Sequence, residues 1–195
     1  MTAWRLRPIL AGLFALFGAP LVLKMDNGSA FRSDWLAELL QQEAVIPLFS
    51  PPGLPAYNGA CEAGIGSLKT RTERRATMAG RPGQWTADDA AAAVAEANEA
   101  SRPHGPRQPT PGHSWQARQP LSREARVLFG AALARQRVAL RAEQGVATEA
   151  ARSARTEAHL ERQAIRRALG ECGYLTFTRR RIPRAIPPPK TANIP

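Results

Sequence analysis

Cysteine and histidine are scarce in this chain, and their positions exclude two kinds of structural site. Its two cysteines, Cys61 and Cys172, are too few and too far apart for a disulfide framework or a C-x-x-C metal site. The three histidines, His104, His113 and His159, are too scattered to complete a zinc site with them. We therefore expect a protein of the reducing cytoplasm.

Long apolar runs are also lacking. The apolar stretch over residues 9–17 is too short to span a bilayer, and Gly12, Gly18 and Pro20 interrupt it and the residues that follow. Because arginines precede it, a bacterial signal peptide on an exported basic protein is one interpretation. One helical face, however, carries the apolar residues Leu6, Ile9, Leu10, Leu13, Phe14 and Phe17. We favour a buried core helix, and export remains the alternative.

Negative charge is in the minority, and residues 1–25 contain no Asp or Glu at all. Lys and Arg number 27 against 16 acids, a net charge of +11. Between Arg123 and Arg184 there are 14 arginines and 6 glutamates, a net of +8. Such an excess favours a polyanionic partner, because neutralising phosphates releases condensed counterions. Charge alone leaves a solvated basic surface equally open.

Two short signatures dominate the first half of the chain. In the first, the apolar run Leu21–Met25 ends on Asp26 and the turn residues Asn27-Gly28. This pattern predicts a buried strand with an acid at its carboxyl end, where α/β sheets place their ligands. In the second, the loop over residues 50–59 leads into a helix that carries Glu62 in its first turn and runs to about Arg75.

These signatures resemble the second half of the catalytic core of transposases and retroviral-type integrases, which carry three acids on a ribonuclease-H-like fold. The spacing of 35 residues between Asp26 and Glu62 is similar to that between the family's second and third acids. The resemblance implies that Asp26 and Glu62 are catalytic and bind Mg²⁺ or Mn²⁺, hard cations that prefer oxygen ligands. The family's first acid lies on an earlier strand, for which this sequence has no acidic residue. We therefore expect a weak or incomplete metal site in an N-terminally truncated or interrupted copy.

The resemblance also implies DNA contacts near the second acid. Lys69 lies two helical turns after Glu62 on the same face, where family members place a DNA-contacting lysine. Tyr57, Asn58 and Arg71 are further candidates for DNA contacts. The alternatives are an exposed helix lysine, a tyrosine packed under its loop, and an arginine that interacts with the helix dipole.

The expected fold class is α/β, a partial ribonuclease-H-like core over residues 1–115. A basic helical region with a short strand follows over 116–185, and residues 186–195 form a disordered tail. The remaining predicted elements are helices over Asp34–Gln42, Thr86–Ala100, Ser122–Glu143 and Thr148–Leu169, and strands over Ala44–Phe49 and Tyr174–Thr178.

The function implied is DNA integration or transposition by metal-dependent phosphoryl transfer, with little activity from this chain alone. The alternative is a non-catalytic DNA-binding remnant of a mobile element, in which the arginine-rich helices after Ser122 supply the affinity. The expected partners are DNA and either a second copy or a chain that supplies the missing part, with no membrane involved.

Overall fold

The computed structural model describes residues 3–144 and 153–177, without the side chains of residues 3–5 and 55. Its α-helices are Ala3–Phe17 (α1), Asp34–Gln42 (α2), Gly59–Met78 (α3), Ala87–Ala95 (α4), Pro111–Gln116 (α5), Arg123–Glu143 (α6) and Ala154–Glu171 (α7). Two parallel strands, Val22–Met25 (β1) and Ile46–Phe49 (β2), form a small sheet in which Val22 pairs with Ile46. Shorter turns are the 3-10 segments Ser29–Arg32 and Pro55–Asn58 and the π-helical turn Glu96–Ala100. The chain therefore has a mixed, mainly helical α/β fold with parallel strands.

Helices cover both faces of the sheet, which explains why its strands are apolar apart from the exposed Lys24. On one face, Val22, Ile46 and Leu48 pack against buried residues of α6 and α7, together with Leu21, which directly precedes β1. The other face packs against α1 and α2 through Leu23, Met25, Val45 and Phe49. Side chains along each strand alternate between the two faces, as the period of a strand requires.

Helix α1 packs against α2 with Leu6 and Phe14 buried, as the core-helix interpretation predicts. The predicted apolar face is only partly correct, because Ile9, Leu13 and Phe17 are 43–50% exposed. Within the described residues, α1 packs mainly on α2 and on the 3-10 turn that precedes α2. These two elements cover only part of the predicted apolar face of α1. Within the same residues, no helix has the length and apolar character needed to cross a membrane.

Helices α3 and α4 form an antiparallel hairpin whose start and end are fixed by polar contacts. Thr86 and Asp89 form a capping box at the start of α4, where the predicted helix begins. At the far end of α4, Glu96 accepts hydrogen bonds from Arg71, Arg74 and Arg75 of α3. The hairpin is therefore held together by charge more than by apolar burial, since only Thr72 and Ala76 of α3 are buried.

Two predictions for the last part of the chain are wrong in detail. Helix α7 begins at Ala154, where the Ser153 hydroxyl accepts from the Thr156 N–H; Thr148 lies outside the described residues. No strand forms over residues 174–177, because the N–H groups of Tyr174 and Leu175 donate to Leu169 and so cap the end of α7. Thr178 and the predicted disordered tail, 186–195, also lie outside the described residues.

Candidate active site

Asp26 directly follows β1, at the carboxyl end of the strand. Its Oδ1 accepts a hydrogen bond from the Gly28 N–H at 2.8 Å, so the Asp-Asn-Gly turn orients the carboxylate. A Cβ atom at position 28 would lie 2.9 Å from that oxygen, closer than real Cβ contacts come. Glycine at this position is therefore needed for the observed orientation of Asp26, which is exposed to solvent.

Glu62 lies in the first turn of α3 and is also exposed. The helix begins at Gly59, immediately after Asn58, where the predicted loop over residues 50–59 ends. The partial positive charge of a helix N-terminus favours a carboxylate at this position. The first half of α3 contains no buried residue, and Ile65 is 50% exposed. This part of the helix is therefore open to a partner.

Ser50, at the end of β2, connects the strand that precedes Asp26 to the start of the helix that carries Glu62. It is 7% exposed, and its N–H donates to the Met25 carbonyl at 2.9 Å. Its hydroxyl lies 3.1 Å from the Met25 carbonyl and 3.0 Å from Asn58 Oδ1, two acceptors that share its one proton. The Asn27 amide in turn donates to the Ser50 carbonyl at 2.8 Å. The end of β1 and the start of α3 are thus fixed to the same residue.

The carboxylates of Asp26 and Glu62 are of the chemical kind that binds Mg²⁺, but they number two, against three acids in the resembling family. Carboxylate oxygens suit Mg²⁺, which usually takes one or two carboxylates together with water and phosphate oxygens. Within the described residues, no group of three or more His, Cys, Asp or Glu side chains is arranged to hold a metal ion. Asp26 and Glu62 therefore do not complete the three-acid set of the resembling family, and no catalytic step can be assigned to them alone.

The predicted DNA-binding residues have different surroundings. Tyr57 is half-buried; the Lys24 ammonium lies 4.0 Å from its ring centroid and donates to its carbonyl. The side-chain oxygen of Asn58 accepts a hydrogen bond from the Ser50 hydroxyl. Lys69 is exposed and has no hydrogen-bond or ion-pair partner among the described residues. The Arg71 guanidinium is instead bound to Glu96, at 2.5 Å.

The structure therefore brings Tyr57 and Asn58 to the end of the sheet that carries Asp26, and it places Lys69 and Arg71 farther along α3. Sequence reasoning missed the contributions of Ser50 and Lys24. The available signal for Ser50 was its position at a strand end, directly before Pro51-Pro52. Lys24 gave no such signal, because an exposed lysine in a short strand is ordinary.

Similarity to solved structures identifies the class of fold. One similar structure is a chain of the simian T-cell lymphotropic virus intasome in complex with PP2A regulatory subunit B56 gamma, with a TM-score of 0.53 and 20% identity over 61% of this chain. Another is the HTLV-2 integrase catalytic core domain in complex with magnesium, in a trimeric form, with a TM-score of 0.46 and 19% identity over 57% of this chain and 68% of that one. No protein-family model and no curated protein matches.

The match spans 42% of the length of the intasome chain, so it relates a part of that protein to a part of this one. At this level of identity the similarity concerns the fold. The described core has an integrase-like fold, as the sequence resemblance predicted.

Proposed function

We propose that this protein takes part in DNA integration or transposition through a partial ribonuclease-H-like integrase core that retains two of the three catalytic acids. The observation that carries the proposal is the position of Asp26 and Glu62. Asp26 directly follows β1, Glu62 lies in the first turn of α3, and Ser50 ties these two elements together. In this proposal the core covers residues 1–115 and the basic helical region residues 116–185, in the cytoplasm.

The chemistry proposed is metal-dependent phosphoryl transfer on DNA, for which this chain alone has an incomplete site. Two metal ions normally activate the attacking oxygen and stabilise the leaving one in such reactions. Asp26 and Glu62 would hold one Mg²⁺ or Mn²⁺ weakly, and we therefore expect little or no strand transfer by this chain without a further carboxylate.

The sheet offers a place for that carboxylate. In the described part of the chain, β1 pairs with β2 along one edge and has no strand partner along the other. An unpaired edge can accept a further strand through its free N–H and C=O groups. We propose that a strand carrying the first acid, from a second copy or from another chain, pairs there. The partners in this proposal are thus DNA and a protein strand.

Metal binding tests the pairing of the two acids. Mn²⁺ titration, followed by electron paramagnetic resonance, is expected to show weak binding that Asp26→Asn and Glu62→Gln each reduce. Asp88→Asn is the matched control, since Asp88 is an exposed acid in the first turn of another helix, α4. If Asp26→Asn and Glu62→Gln bind Mn²⁺ as the wild type does, the two acids do not form one site and the proposal fails.

A strand-transfer assay tests the expected lack of activity. The full chain, incubated with labelled DNA ends and Mg²⁺, should give no joined product. Efficient joining that requires Mg²⁺ and is lost in Glu62→Gln would show that two acids are enough.

The second candidate is a non-catalytic DNA-binding protein, favoured by Arg155 and Arg162 of α7, which have no ion pair with any residue that the structure describes. It predicts salt-sensitive DNA binding by the full chain together with Mn²⁺ binding that none of the acid variants alters. The integrase-core proposal predicts DNA binding with Mn²⁺ binding that depends on both acids.

A further inference from the structure

In the described part of the chain, acidic residues of helix α7 pair with α6. Glu161 pairs with Arg137 of α6, and Glu171 binds Arg135 and Gln136. Glu157 pairs with Arg141. In a further pair the charges are exchanged between the helices: Arg167 of α7 pairs with Glu143 of α6. The glutamates of α7 are therefore neutralised at the interface between the two helices.

The other side of α7 carries a stripe of basic residues, Arg155, His159, Arg162 and Arg166. Their spacing of four, three and four residues places them on one helical face. Arg155 and Arg162 have no ion pair among the described residues, and the Arg166 guanidinium lies 4.1 Å from the ring centroid of Phe177. The stripe is about 16 Å long, from the helical rise.

This stripe forms one wall of a groove of about 1020 Å³. Lys24 and the loop over residues 51–57 form the other wall, and the floor is apolar, made by Leu48, Ile165 and Leu169. Tyr57 and Phe177 bring aromatic rings to the groove, and no Asp or Glu is among the described residues that line it. The groove is thus positively charged with an apolar base.

The charge, the aromatic rings and the volume of the groove indicate which kind of ligand it can bind. A basic groove combined with aromatic rings is how proteins bind single-stranded nucleic acid, with phosphates on the cations and bases stacked on the rings. The volume corresponds to a large ligand pocket, which is too small for a duplex. An acidic peptide would satisfy the charges but would leave the rings without stacking partners.

We propose that the groove between α7 and the loop over residues 51–57 binds a single strand of nucleic acid, with its phosphates along Arg155, Arg162 and Arg166 and a base against Tyr57. Lys24 lies on β1, two residues before Asp26, so a nucleic-acid strand in the groove leads towards the candidate acids. This inference deepens the DNA-binding part of the proposed function, and it does not depend on metal binding.

Fluorescence anisotropy tests the contribution of the groove arginines, by measuring the affinity of the full chain for labelled 12-nucleotide oligothymidine. The titration is done in EDTA, so that metal ions do not contribute to binding. Arg155→Gln/Arg162→Gln should weaken binding about tenfold or more. It should also lower the slope of log affinity against log salt by about 1.4, since each phosphate contact in a single strand contributes about 0.7. The matched control, Arg107→Gln/Arg123→Gln, removes the same charge from exposed arginines outside the groove and should change the affinity less than twofold.

The aromatic contact is tested at Tyr57. Tyr57→Leu should weaken binding about fivefold or more, whereas Tyr57→Phe, which keeps the ring, should bind as the wild type does. Circular-dichroism melting of each variant verifies that it is folded. Oligouridine in a parallel titration distinguishes RNA from DNA as the source of the strand.

Two results would overturn the inference. One is an equal loss of affinity in the groove variant and its charge-matched control. The other is binding of a 12-base-pair duplex or of polyglutamate as tightly as the single strand. Either result would leave the Mn²⁺ test of Asp26 and Glu62 unaffected, so the failure of this inference can be told apart from the failure of the proposed function.

Discussion

At the scale of single residues, the orientation of the Asp26 carboxylate depends on the absence of a side chain at position 28. Gly28→Ala would place a Cβ 2.9 Å from Asp26 Oδ1 and force the carboxylate to rotate away from the N–H that holds it. The backbone itself tolerates alanine, because φ at this position is −58°. We expect Gly28→Ala to lower Mn²⁺ affinity several-fold with little change in melting temperature, measured on the same samples.

Gly64→Ala is the matched control for this substitution. Gly64 lies inside α3 with nothing within 4 Å of the added Cβ. The change should raise the free energy of unfolding by about 0.5–1 kcal/mol, since alanine favours a helix interior over glycine. It should leave Mn²⁺ binding unchanged. Equal Mn²⁺ affinity in Gly28→Ala and the wild type would mean that the turn does not orient a metal ligand.

The same residues show which parts of the site can be predicted from sequence. The positions of Asp26 and Glu62 follow from local signals, a turn after an apolar run and a loop before a helix. Ser50 contributes through contacts with Met25 and Asn58, which are 25 and 8 residues away. Lys24 reaches Tyr57 across 33 residues. Such contacts depend on how elements pack, and no local pattern specifies them.

At the scale of elements, the α3–α4 hairpin depends on the ionised form of Glu96. Hydrogen bonds, first from Arg74 and then from Arg75, together with the charges of Arg74 and Arg71, lower the pKa of this carboxyl below its ordinary value of 4.5. A lowered pKa in the folded state means that Glu96 stabilises the fold above pH 4.5 and that this contribution is lost as the pH falls from there through the lowered pKa.

We therefore expect the melting temperature of the wild type to fall more steeply below pH 4.5 than that of Glu96→Gln, which lacks the titrating group. At neutral pH, Glu96→Gln should be the less stable protein, because it leaves three arginines without their acid. Glu99→Gln, on the same π-helical turn and exposed, is the control and should follow the wild type. Parallel pH profiles for the wild type and Glu96→Gln would rule out this role of Glu96.

Elements with strong terminal signals are the ones that the sequence predicted well. Helix α2 has its predicted bounds, and α4 and α6 begin directly after Thr86 and Ser122, as expected. The wrong predictions concern residues whose structure is determined by tertiary contacts. Residues 174–177 alternate as a strand does, but their first N–H groups are used to cap α7.

At the scale of the whole molecule, α6 and α7 complete the core of the sheet. Leu21, directly before β1, lies in one apolar cluster with Phe129, Leu133 and Ile165. Arg126 of α6 also donates to the carbonyls of Ala19 and Pro20, just before β1. The boundary predicted near residue 115 is thus crossed by both apolar and polar contacts, and it stays a prediction about independent folding.

Ile165→Ala tests whether that boundary separates two folding units. Ile165 is 1% exposed, and truncating a buried isoleucine to alanine costs about 2–5 kcal/mol. Because this side chain packs in the cluster that covers the sheet, hydrogen exchange of the β1 and β2 amides should accelerate together with that of α6 and α7. The control is Val138→Ala, which removes a smaller aliphatic group at a position of α6 that is 67% exposed. It should change neither the stability nor the hydrogen exchange of these elements. If the β1 and β2 amides keep their protection in Ile165→Ala while those of α7 lose it, residues 1–115 form a unit that does not need the basic helices for its stability.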